Sequence, residues 1–162
     1  MIACMGIDLG SLPGVRAAGR GYVLGVHGGT LVLLASRLDR ELMLAERRLL
    51  QSESSDIVCM LSVFEAEFQL PDDETRLEMD EFVRELGSRP VAVVYEAGGF
   101  TVAAIRAINT SYARMTDNRL RPQIFESLAS AVGWLKAETR GVSGVDDLEA
   151  YVATLRAAQS AT

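Results

Sequence analysis

The stretch 91–135 constrains this chain most. It reads as an apolar run, VAVVYEA from Val91, then a Gly98-Gly99 turn, an amphipathic segment, a short second run, PQIFES, and another amphipathic segment. A run too continuous to leave a wet face, followed by apolar residues at every third or fourth position, describes a buried strand and the helix that covers it. Repeated in succession, the pattern implies a sheet with helices on its faces. The chain has 162 residues, 49% hydrophobic and 23% charged, which supplies enough apolar side chains for one full core.

The upstream residues extend the same alternation. Tyr22–Val26 and Thr30–Leu34 are short apolar runs joined by His27-Gly28-Gly29, a hairpin signal that makes the two strands antiparallel neighbours. From Asp39 onward, Leu38, Leu42, Ala45 and Leu49 recur at helical spacing, with Glu41, Arg47 and Arg48 left for solvent. Polar Ser52–Asp56 ends that helix, and Ile57–Phe64 follows as a central strand. Glu65–Leu70 reads as a loop. Pro71-Asp72-Asp73-Glu74 then starts a second helix, because proline and acids suit its free N–H groups and positive dipole end. Met79, Phe82, Val83 and Leu86 form its apolar stripe, and Gly87 stands where a left-handed cap is wanted.

Val91–Tyr95 is the next strand, Phe100–Met115 a helix with Ile105, Ile108, Tyr112 and Met115 on one face, and Gln123–Phe125 a short strand. Ser127 caps a helix whose stripe is Leu128, Ala131, Val132 and Leu135. Past the breaker Gly141–Gly144, Ser143 with Asp146 has a capping-box pattern, and Leu148, Val152 and Leu155 form a last stripe. This last helix either packs back on the sheet or docks on a second copy of the chain as a homodimer. The expected architecture is α/β, a mixed sheet of about five strands covered by four helices, plus a C-terminal helix. The organisation is an irregular, glycine-rich arm over 1–20, a domain over 21–138 and a helical extension over 139–162.

Charge and cysteine content exclude several classes. The net charge is −6 and the basic residues are scattered, whereas a nucleic-acid surface needs clustered Lys and Arg. The longest apolar runs, such as LVLLA at Leu31–Ala35, fall far short of the roughly 20 residues that cross a bilayer. MIACMGIDLG has no basic stretch before a long apolar one, so no secretory signal is expected and the cytoplasm is the default address. Cys4 and Cys59 share no CxxC spacing, and Cys59 inside DIVCMLSVF reads as a small buried hydrophobe.

Candidate chemistry is sparse. Glu65, Glu67, Glu96, Asp72 and Asp73 fall near the carboxyl ends of strands, where ligands of open parallel sheets sit, but they lack a metal-ligand spacing. Gly98-Gly99 has neither a GxGxxG nor a GxxxxGK context. The single histidine, His27, falls in the hairpin turn without an evident partner, and Ser62 lacks the GxSxG setting of a nucleophile. The third strand ends in Ser62-Val63-Phe64 where a receiver domain has its aspartate. No enzyme activity, cofactor or metal is therefore expected. Phe68, between Glu67 and Gln69, reads as an exposed apolar anchor beside acids.

In order and pattern the chain resembles the STAS superfamily (SpoIIAA-like), the fold of anti-sigma-factor antagonists and of the cytoplasmic tails of sulphate transporters, and more closely a bacterial STAS-like branch. The resemblance is carried by LPDDETRLEMDEFVREL at Leu70–Leu86, RPVAVVYEAGGFTVAAIRAI at Arg89–Ile108 and PQIFESLASAVGWLKAE at Pro122–Glu138. It implies a non-enzymatic regulatory module that docks a partner protein through the second helix and its neighbouring loops. The partner-binding residues so implied are Phe68, Asp72, Asp73, Thr75, Gly98, Gly99 and Phe100. In the antagonists a serine at this helix start is phosphorylated; here Asp72 and Asp73 stand in that loop with Thr75 nearby, so permanent charge replaces the switch. A different expectation, from the Leu- and Met-rich helix faces, is a protein that binds a small apolar ligand, lipid or metabolite, between helix and sheet.

Overall fold

The computed structural model describes residues 11–69, 71–96, 122–140 and 145–160, together with Ala103, Arg106, Ala107 and Thr110; the side chains of 66–69 are not described. Six strands form one sheet in the order β1-β2-β3-β4-β5-β6. They are β1 (Val15–Gly19), β2 (Tyr22–His27), β3 (Thr30–Arg37), β4 (Cys59–Gln69), β5 (Val91–Tyr95) and β6 (Gln123–Phe125). The first three form an antiparallel meander, and β3 to β6 run parallel. The helices with assigned bounds are α1 (Arg40–Ser52), α2 (Asp73–Leu86), α3 (Leu128–Thr139) and α4 (Leu148–Ser160). A short 3₁₀ turn, Val145–Asp147, leads into α4.

Side-chain alternation along the strands explains the layering. Leu31, Leu33, Met60, Val91, Val93 and Tyr95 join one core with Leu42, Met43 and Leu50 of α1 and Phe82, Val83 and Leu86 of α2. Val32, Leu34, Leu61, Val63, Ala92 and Val94 join a second core with Ala131 and Leu135 of α3 and Leu148, Val152 and Leu155 of α4. The connections through α1 and α2 each advance the sheet by one strand in the same direction. Crossovers of one hand that do this put their helices on the same face.

The helix boundaries follow local chemistry. Asp39 caps α1 by accepting from the Leu42 N–H at 3.0 Å, Asp72 caps α2 from the Thr75 N–H at 2.8 Å, and Ser127 caps α3 from the Ser130 N–H at 3.2 Å. Gly87 ends α2 at φ 64, in the left-handed region glycine enters without a Cβ penalty. Arg89 secures the same corner: its guanidinium donates to the carbonyls of Ser54, Ile57, Glu85 and Leu86 at 2.8–3.1 Å. Arg47 of α1 bridges Glu78 at 2.7 Å and Glu85 at 3.1 Å, locking α1 to α2.

Several expectations are corrected. The sheet has six strands instead of about five, because part of the segment expected as an irregular arm, Val15–Gly19, pairs with β2 as an edge strand. The loop expected after Phe64 is strand: β4 runs on to Gln69, where it meets Arg37 of β3. Phe68 therefore sits in a strand. His27 is the last residue of β2 and not a solvated turn residue; its ring stacks on Tyr151 at 4.6 Å. The α4 stripe is consumed within the chain, on β2 and β3. The expected Phe100–Met115 helix and the Ser143 cap fall largely or wholly outside the described residues, although Ala103, Arg106, Ala107 and Thr110 are helical.

Tyr151 also explains a glycine in mid-strand. A Cβ at Gly25 would lie 2.0 Å from the Tyr151 hydroxyl oxygen and 3.0 Å from Cζ, so the ring occupies the space a side chain would need. Gly25→Ala is expected to destabilise the fold by about 1–3 kcal/mol, the usual range for overpacking. Adding Tyr151→Phe should recover part of that loss, as read by urea denaturation of the single and double variants.

Candidate functional site

Where α1 and α2 lie over the sheet, they leave a cavity of about 100 Å³ between them and β3, β4 and β5. Its wall is almost wholly apolar, with Met43 from α1, Met60 from β4, Met79 and Phe82 from α2, and Val93 and Tyr95 from β5. Among the described residues three side chains with polar atoms line it, Glu46 of α1, Ser62 of β4 and Tyr95 of β5.

Glu46 is there because of helical geometry. The buried residues of α1 are Leu42, Met43, Glu46, Leu49 and Leu50, one stripe at three- and four-residue spacing, and Glu46 falls in its middle. It is 0% exposed, and neither carboxyl oxygen has a hydrogen-bond partner among the described residues. Burial pushes its pKa up to about 8, because an ion stripped of water without a counter-charge is strongly disfavoured. At neutral pH it is a neutral carboxylic acid, one donor and one acceptor held in an apolar chamber.

The residues expected at the α2 start have different fates. Asp72 and Thr75 are brought together as the helix cap, and the Thr75 hydroxyl followed by its backbone N–H holds the Asp72 carboxyl below its usual range. Thr75 is 1% exposed, so its hydroxyl is not offered to a partner at the surface. Asp73 is exposed and pairs with Arg76 at 3.4 Å. Gly98, Gly99 and Phe100 lie outside the described residues, as does the side chain of Phe68. Glu96 is paired with Arg156 of α4. No group of three metal-ligating side chains occurs among the described residues.

Ser62 and Cys59 sit close to their expected settings. Ser62 is buried, with its side chain on the cavity face. Cys59 is fully buried, its Sγ lies 3.3 Å from Thr30 Oγ1, and burial pushes its thiol up. What the sequence reading missed is Glu46. The signal was available: Glu46 lies four residues after Leu42 and three before Leu49, inside the stripe those residues define.

No helix among the described residues is long and apolar enough to cross a membrane. No protein-family model matches the chain, nor does any curated protein or solved structure.

The Glu46 site has a pH signature. The folded protein holds the proton up to about pH 8, whereas the unfolded chain releases it near 4.5. The stabilising contribution is therefore fully present below the unfolded value and is lost as pH rises to the folded one. Unfolding free energy from denaturant titrations should fall across this window with a slope approaching about 1.4 kcal/mol per pH unit. Glu46→Gln should remove that component of the slope.

Proposed function

We propose that this protein is a non-enzymatic α/β binding domain that takes a small, largely apolar molecule into the cavity beneath α1 and α2. The observation that carries this reading is Glu46: a fully buried carboxyl whose two oxygens lack partners among the described residues, on a residue that lines the cavity. Leaving such a group unsatisfied costs on the order of 1–3 kcal/mol, a cost that a bound hydrogen-bonding partner would offset. A compact apolar pocket with very few polar groups is also the usual chemistry of small-molecule sites. The cytoplasm is the proposed setting, where the buried thiol of Cys59 stays reduced.

A second reading is favoured by one surface feature. Leu77 on α2 is 68% exposed, the one large exposed hydrophobic side chain among the described residues, and its helix carries Asp73, Glu74 and Glu81. That combination suits docking of a partner protein through α2, as the STAS-like resemblance implies. Leu77→Ser together with Asp73→Lys would then weaken capture of that partner at least tenfold without loss of folding. Retention of every partner at the wild-type level would count against it.

The cavity reading is tested with an inert apolar probe. With the methionine methyls labelled, xenon under pressure should shift the NMR signals of Met43, Met60 and Met79 saturably and raise the unfolding temperature. If those three signals and the unfolding temperature stay put, the cavity is not a binding site.

A further inference from the structure

We infer that the cavity accepts a small uncharged molecule bearing a hydroxyl group, with the Glu46 carboxyl as its polar anchor. This rests on the reading of the cavity as a binding site and adds the chemistry of what enters.

Size sets the first limit. An apolar cavity of about 150 Å³ holds benzene, so this partly open pocket of about 100 Å³ encloses on the order of four heavy atoms of a ligand that can extend outward. The wall sets the second. Met43, Met60 and Met79 supply flexible thioether chains that mould around an alkyl group of varying shape.

Charge sets the third. Among the described residues no Lys, Arg or His lines the cavity, so a carboxylate or phosphate would meet no counter-charge from them. Among the described residues, the titratable groups on the packed elements include Tyr22 of β2, whose phenol is pushed up first by burial and then by Glu41, Asp39 and Glu46, and Tyr95 of β5 in the cavity wall. Neither carries a positive charge. An ammonium ligand would need Glu46 ionised, and both ions would lose their water in an apolar enclosure, an exchange that seldom gains.

A hydroxyl meets none of these obstacles. With the Glu46 carboxyl turned toward the cavity, its acid O–H donates to the ligand oxygen and its carbonyl oxygen accepts from the ligand O–H, which gives partners to the two oxygens that lack them among the described residues. No bond is made or broken. Ser62, on the same wall, adds a second hydroxyl.

The test is an NMR titration of methionine-methyl-labelled protein with 1-butanol, 1-chlorobutane and n-butylammonium. 1-Butanol is expected to shift Met43, Met60 and Met79 saturably and to bind about tenfold more tightly than 1-chlorobutane, the effect of one buried hydrogen-bonded anchor. Glu46→Leu should weaken 1-butanol about tenfold and leave 1-chlorobutane within about twofold. Glu46→Gln keeps a donor and an acceptor and should hold 1-butanol within about threefold, which serves if the leucine variant does not fold. Equal binding of 1-butanol and 1-chlorobutane, unchanged in the variants, would overturn the assignment of Glu46 while leaving the cavity a binding site. Tightest binding by n-butylammonium would overturn the uncharged class. No shift from any of the three would remove both the inference and the binding site.

Discussion

Leu33 and Leu34 are chain neighbours, yet they point into different cores, and this double burial of the central strands is the constraint everything else obeys. Strands β3, β4 and β5 are apolar on both faces, so a single layer of helices would leave half of the sheet wet. The chain covers one face with α1 and α2 and the other with α3 and α4. The antiparallel hairpin at one end and the parallel crossovers that follow are two ways of adding strands to the same twice-covered layer.

Against that background Glu46 runs counter to the packing rule. Every other buried position of α1 carries an aliphatic or thioether side chain, and the inner face of α2 brings phenylalanine, valine and leucine. The helices are nevertheless held firmly apart from this conflict. Arg47 links them through Glu78 and Glu85, with Gln51 donating to Glu85 at 2.9 Å, all on the outer side of the pair. Support outside and an unsatisfied acid inside fit the binding site proposed above.

Much of the fold was legible because local chemistry marks where elements begin and end. Asp39, Asp72 and Ser127 were readable as helix starts, and Gly87 as a stop, from side-chain hydrogen bonding and left-handed φ alone. The hairpin followed from Gly28 and Gly29, both at positive φ. The edge strand β1 was not legible, since Val15–Gly19 has a weak apolar pattern and its pairing partner decides its conformation. The far half of β4 was hidden likewise, as EAEFQ is polar enough to pass for a loop. Glu46 was missed because a charged residue is ordinarily assigned to the wet side of a helix, and only packing by α2 makes its surroundings dry.

The placement of α4 bears on how the polypeptide acquires its shape during synthesis. Val23, Val32 and Leu34 emerge from the ribosome early, but their cover includes Leu148, Val152 and Leu155, which are translated far later. A nascent chain that has already paired β2 with β3 presents a sticky apolar plane until that distant helix arrives. Closure over so long a stretch of chain is the kind that slows folding and keeps apolar surface open until late.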